Sequence, residues 1–198
     1  MKNRPWLLFA LTTTIFWGVW GALMEVPIRK GFPVTLGYIV WSLTMIPCAV
    51  AGLWIIGWKL EHDWKSIIQG SIIGLLGAGG QLMLFYALNE GPAYLVFPII
   101  SLSPAVTILL SLLFLKEKAS VPNWVGIFLA LVAILFLSYQ EPENTTVQGY
   151  LWLFFAVMIF MMWGVQAFVM KFANNRMRAE SIFFYMMLTG IMLAPVAY

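Results

Sequence analysis

The residues of this sequence best placed to engage another molecule are mostly neutral hydrogen-bonding groups set beside indole rings. Thr14, Trp17 and Gly18 fall in one apolar stretch and Gln81 in another. Ser101, Ser103, Pro104 and Thr107 share a third, and Trp163 and Gln166 a fourth. That is the chemistry of binding. Catalysis would need an activated nucleophile or a tuned acid–base pair. The only histidine, His62, lies in a polar loop, the only cysteine, Cys48, lies in an apolar run, and no aspartate does. One cysteine excludes an internal disulfide and a cysteine-based zinc site, and one histidine excludes a multi-histidine cage. The sequence therefore predicts no enzyme, no metal site and no cofactor.

These residues need elements to position them, and the composition says which. Of 198 residues, 62% are apolar and 10% charged, against roughly a quarter charged in a soluble domain. The net charge is +3, and no basic run is long enough to follow a phosphate backbone, so nucleic acid is not an expected partner. Every charged side chain lies outside the uncharged windows 5–24, 31–58, 66–89, 91–115, 119–140, 144–170 and 181–198. A span needs about 20 apolar residues, and a charge at mid-bilayer costs at least about 2.5 kcal/mol. The windows are continuously apolar and do not alternate as barrel strands would. The expected fold class is all-α: a polytopic transmembrane helix bundle with about seven spans present, in contact with the lipid bilayer.

Loop charge predicts orientation. With a cytoplasmic N-terminus, Lys2, Arg4, Lys59, Lys65, Lys116, Lys118, Lys171, Arg176 and Arg178 fall inside, and only Arg29 and Lys30 outside. Basic residues concentrate on the cytoplasmic side of membrane proteins. The first window is too long for a signal-peptide core and no small-residue cleavage site ends it, so it reads as a retained span.

The sequence also repeats itself. At a shift of 146 residues, Trp6, Leu7, Phe9, Ala10, Trp17, Gly18, Val19 and Met24 fall on Trp152, Leu153, Phe155, Ala156, Trp163, Gly164, Val165 and Met170. Pro47 falls near Pro195. A repeat of five spans is odd, so its second copy must cross in the opposite sense. That is the inverted repeat of many secondary transporters, whose site lies near mid-bilayer between the halves. The expected units are 1–142, a first five-helix repeat, and 143–198, the start of a second with two helices. Completing it would take on the order of 90–100 further residues, so the sequence reads as part of a longer polypeptide.

The chain resembles the drug/metabolite transporter superfamily, of the EamA-domain type. The residues that carry the resemblance are Trp17-Gly18 with its echo Trp163-Gly164, then Ala87-Leu88 and Gly91-Pro92-Ala93. Pro104 and the run to Leu115-Lys116-Glu117-Lys118 follow, with Trp124-Val125-Gly126 opening the next span. The resemblance implies a ten-span carrier with both ends cytoplasmic. It implies a cavity lined by spans one, three and four and their mates, and a cargo such as an amino acid, sugar or other small metabolite. Many members carry an arginine in the second span, where this chain has Tyr38-Ile39-Val40-Trp41; a substrate held by that arginine is not implied.

On this footing the candidate substrate cavity comprises Thr14, Trp17, Gly18, Gln81, Ser101, Ser103, Pro104, Thr107, Trp163 and Gln166. Pro98 and Pro104 leave the carbonyls of Tyr94 and Ile100 without their usual helical donors. Such carbonyls at membrane depth must be buried in protein or line a wet cavity. The reading is either a broken helix offering contacts or a kinked one whose hydroxyls bond their own backbone. The stripe Ser66, Gly70, Gly74 and Ala78 invites a close helix neighbour. Glu25 and Lys171, repeat mates, are candidate gate residues; the alternative is that each merely ends an apolar window. The expected function is a secondary transporter that moves a small metabolite by alternating access in a cell membrane, the bacterial inner membrane. The alternative is a non-transporting subunit or half-transporter that needs a partner chain. A homodimer is compatible with either.

Overall fold

Inside a bilayer no water satisfies the backbone, so each uncharged window closes its hydrogen bonds within itself as a helix. The computed structural model describes residues 5–116, 120–138 and 149–197. The expected repeat boundary at 142/143 and the Lys118 and Glu117 positions lie outside them. Among the described residues the helices are α1 (Pro5–Arg29), α2 (Val34–Ile55), α3 (Trp64–Glu90) and α4 (Ala93–Ser101), then α5 (Pro104–Leu115), α6 (Val121–Ser138), α7 (Leu151–Ala173) and α8 (Ala179–Ala197). Taking α4 and α5 as one span, six spans are long and apolar enough to cross a membrane, and α6 is a further apolar helix. The all-α polytopic bundle expected from the sequence is the fold observed.

Local chemistry sets the boundaries. Pro33 and Pro92 stand immediately before α2 and α4, where a missing N–H costs nothing. Gly31, at φ +81°, turns the chain between α1 and α2. Asp63 caps α3, its carboxylate accepting the Ser66 N–H at 3.4 Å and the Ser66 hydroxyl. The proline effect is visible between α4 and α5. Pro104 opens α5, and the chain crosses Leu102–Ser103 in three-residue turns, with Leu102 N–H on Ile99 O at 3.2 Å and Ser103 N–H on Ile100 O at 3.1 Å. The carbonyl freed by Pro104 thus finds the Ser103 donor.

The third span is the axis of the molecule. Its glycines form two faces. Gly70 and Gly74 lie against Tyr185 and Thr189 of α8, while Gly77 and Gly80 lie against Gln166 and Trp163 of α7. A side chain at Gly74 would strike the Tyr185 carbonyl, 2.9 Å from where its Cβ would stand. The small-residue stripe read from the sequence therefore serves close packing. The α2 helix crosses α8, where buried Tyr38 donates its hydroxyl to the Gly190 carbonyl at 3.0 Å. Met45, Ala49 and Met187 pack nearby. The main core gathers Tyr38, Leu84, Phe85, Val96, Ile99, Trp152, Ala156 and Ile159. By contrast α1 touches α3 and α4 only lightly, and Leu8, Phe9, Ile15 and Phe16 are exposed. Apolar side chains facing outward from such helices suit a lipid surround.

Candidate functional site

A cavity of about 330 Å³ opens where the middles of α1, α2, α3, α7 and α8 meet the α4–α5 break. Trp17, Trp41, Gly77, Gln81, Ile100, Ser101, Ser103, Trp163, Gln166 and Met186 line it. The α3 glycines are what let it form. Gly80 admits the Trp163 ring and Gly77 admits the Gln166 amide, so both α7 side chains reach inward past a bare backbone.

Its polar groups are arranged unevenly. The Trp163 indole N–H points to the Gly77 carbonyl at 3.4 Å. The Ser101 hydroxyl is satisfied by its own helix, through Phe97 O at 2.8 Å and Pro98 O at 2.9 Å. The Gln166 amide nitrogen meets the Met186 sulfur at 3.9 Å, a weak acceptor. Gln81 is 2% exposed, and its Nε2 has no hydrogen-bond partner among the described residues. A buried donor left unpaired costs about 1–3 kcal/mol, and the residue that carries this one lines the cavity. Among the described lining residues none is charged. The wall around the donor is aromatic: the Trp17 and Trp163 rings meet edge to face at 5.6 Å, and Trp20 stacks on Trp17 at 4.9 Å.

The structure thus brings Trp17, Gln81, Ser101, Ser103, Trp163 and Gln166 together, and separates the other candidates. Thr14, Gly18 and Glu25 line a wider cavity of about 740 Å³ between α1 and α4, which Trp17 and Ser101 also border. Glu25 there is paired with Arg29 one turn on, at 2.5 Å. Pro104 lines a third hollow, beside Asn123 and Gly126 of α6. Thr107 is committed to packing, its hydroxyl donating to the Gly164 carbonyl at 2.9 Å. Lys171 closes the last turn of α7, beyond the central cavity. Trp41 and Met186 were not read as site residues, because an apolar side chain within an apolar span carries no signal of which way it faces.

A second polar cluster lies at the loop face where α2 meets α3 and α7 meets α8. The Glu61 carboxylate accepts the Ser181 hydroxyl and stands 3.7 Å from the Arg178 guanidinium. Its backbone carbonyl accepts the Tyr185 hydroxyl at 2.7 Å. Asp63 pairs with Arg176 at 3.3 Å. The Ser181 hydrogen bond, helped by Arg178, holds the Glu61 carboxyl below its ordinary range. The Ser66 hydrogen bond, helped by Arg176, does the same for Asp63. The cluster fastens two loops distant in sequence across one face of the bundle.

The EamA-like transporter family matches residues 4–139. The chain belongs to this family. An uncharacterised protein of Methanocaldococcus jannaschii is similar to the EamA-like chain, 31% identical over 137 residues, which are 68% of this chain and 97% of that one. A protein of Archaeoglobus fulgidus named an uncharacterised transporter is 26% identical over 150 residues, 74% of this chain. The match covers 51% of that relative, so the EamA-like chain accounts for about half its length. A probable 4-amino-4-deoxy-L-arabinose-phosphoundecaprenol flippase subunit of Hamiltonella defensa is 30% identical over 85 residues, 40% of this chain and 77% of its own. Family and helices together make this a multi-pass membrane protein of transporter type, set in a lipid bilayer.

Proposed function

We propose that the EamA-like chain carries the binding site of a secondary transporter for a small, net-uncharged solute that accepts a hydrogen bond. The observation that carries this reading is Gln81, buried, with its amide nitrogen unpartnered beside Trp17, Trp163 and Gln166. An aromatic wall offers apolar contact, the Gln81 amide offers a donor, and described lining residues without charge disfavour multiply charged cargo. Pockets that hold small molecules are built in this way. Alternating access then means that the cavity opens to one side at a time. The inverted repeat read from the sequence gives the symmetry for it, and the Glu61–Arg178 and Asp63–Arg176 pairs hold one face together. The positive-inside pattern assigns that face, and the N-terminus, to the cytoplasm, and the bacterial inner membrane is the setting proposed.

The test compares metabolites inside and outside cells that express the full-length protein, its Gln81→Leu variant, or neither. The expected result is one class of solute that redistributes with the parent protein and not with Gln81→Leu. No redistribution by a correctly inserted parent would end the reading of this chain as a self-sufficient carrier. A second reading then takes over, a half-transporter that acts with a partner chain or a second copy. What favours it is that the Methanocaldococcus relative is covered almost whole by 137 residues, and that the Hamiltonella relative is named a subunit.

A further inference from the structure

The central cavity shares one wall residue with a second hollow. That hollow, about 460 Å³, lies between the loop-face ends of α2, α7 and α8. Met170, Ile182 and Phe183 give it apolar walls, while Asn174 and Glu180 stand at its polar end. Exposed Cys48 lies within it. Met186 lines both spaces, and among the described lining residues it alone does so.

The Met186 side chain spans the gap between them. From α8 its sulfur comes within 3.9 Å of the Gln166 amide nitrogen on α7. Its methyl group reaches α3, where a Cβ on Gly77 would stand 3.2 Å from it. Gln166 and Gly77 are themselves walls of the central cavity, so Met186 stands between the two spaces. Methionine suits that place. It is unbranched, with three rotatable bonds, and can swing without moving its backbone. Its polar contact is weak, since a thioether sulfur is a poor acceptor; otherwise the side chain packs against apolar neighbours, Ile73 and Tyr185 on one side and Met45 and Met187 on the other. The loop cluster of Glu61, Asp63, Arg176 and Arg178, by contrast, is tied by several bonds at once.

We infer that Met186 gates a passage from the central cavity, between α7 and α8, into the Cys48 hollow and so to the loop face. Solute crosses at this side chain while the ion-paired loops stay joined. The inference rests on the central cavity as the binding site, but its test requires no substrate.

The reporter is Ser103→Cys in a Cys48→Ala background, since Ser103 lines the central cavity and not the hollow. A membrane-impermeant methanethiosulfonate is applied to proteoliposomes of known sidedness, and the labelling rate is compared for Met186, Met186→Ala and Met186→Phe. Shortening the side chain is expected to speed labelling from the loop face by about tenfold or more, and the stiffer ring to slow it. Neither change should alter the rate from the opposite face. Equal rates in all three proteins, or equal changes from both faces, would overturn the gate. Native Cys48, labelled in parent and Met186→Ala proteins that keep it, reports on the hollow and should react at the same rate in both. Where Met186→Ala does not fold, Met186→Leu carries the test: similar volume with less freedom should slow labelling, and an unchanged rate overturns the proposal. Labelling without transport supports the passage and leaves the carrier reading to its own test.

Discussion

Thr107 on α5 donates its hydroxyl to the carbonyl of Gly164 on α7 at 2.9 Å. The same glycine receives α5 so closely that an added Cβ would meet Val106 and stand 2.8 Å from the Ser103 carbonyl. Gly18, its mate in the sequence repeat, has no atom of another described element within 4 Å of the corresponding point. Two glycines in the same Trp-Gly-Val setting therefore stand in opposite environments. One is a helix contact and the other borders the open space between α1 and α4.

That difference predicts opposite outcomes for one substitution. Gly164→Ala must displace backbone, and overpacking of this kind costs about 1–3 kcal/mol. Gly18→Ala meets open space and gains helix propensity, worth up to about 1 kcal/mol. Thermal unfolding of the purified protein in detergent should show a lowered midpoint for Gly164→Ala and an equal or raised one for Gly18→Ala. Equal losses at both positions would contradict the packing described.

Gln81 should show stability and function moving apart. Replacing it with leucine removes a buried, unpaired donor at nearly constant volume, relieving a penalty of about 1–3 kcal/mol. The variant is expected to unfold no earlier than the parent, while losing the solute redistribution that depends on the amide. Sites that hold an unsatisfied group for a ligand commonly trade stability for activity in this way. A Gln81→Leu protein that is markedly less stable would identify the amide as structural.

Tyr38 makes the reverse case. Its hydroxyl is buried and joined to the Gly190 carbonyl where α2 crosses α8. Tyr38→Phe keeps the ring against Phe85 and Trp41 and loses only the hydrogen bond, for a cost of about 0.5–1.5 kcal/mol. The thermal midpoint should fall modestly, with transport retained, since Tyr38 does not line the central cavity.

Much of this was legible in the sequence because bilayer physics is coarse. A charge-free window long enough to span has one stable answer, and among the described residues each of the seven windows holds a helix, with a break at Leu102–Ser103. Pro104 announced that break, and Gln81 stood out as an amide where lipid would penalise one. Gly70 and Gly74 were legible as a packing stripe, since only small residues let helices close on each other. What could not be read was which way an apolar side chain faces. Trp41 and Met186 line the cavity, while Thr107, polar and among the expected cavity residues, is spent on Gly164. The pairing of Glu61 and Asp63 with α7–α8 was invisible for another reason: it depends on two loops more than a hundred residues apart meeting at one face.

That loop cluster carries a pH dependence whose sign follows from its geometry. The Glu61 carboxyl is held below its ordinary range in the folded protein, first by the Ser181 hydroxyl and then by Arg178. A carboxyl lowered on folding contributes stability above its unfolded pKa, about 4.3 for glutamate. The contribution disappears as pH falls through the lower folded value. It is small, at most about 1 kcal/mol, because the pair is partly exposed and screened by water and salt. Glu61→Gln should therefore lower the thermal midpoint slightly at neutral pH and low salt. The gap between parent and variant should shrink in high salt and close once the pH drops well below the ordinary carboxylate range. A gap that persisted unchanged into acid would mean that Glu61 acts through its packing and its backbone bond to Tyr185, with its charge contributing nothing.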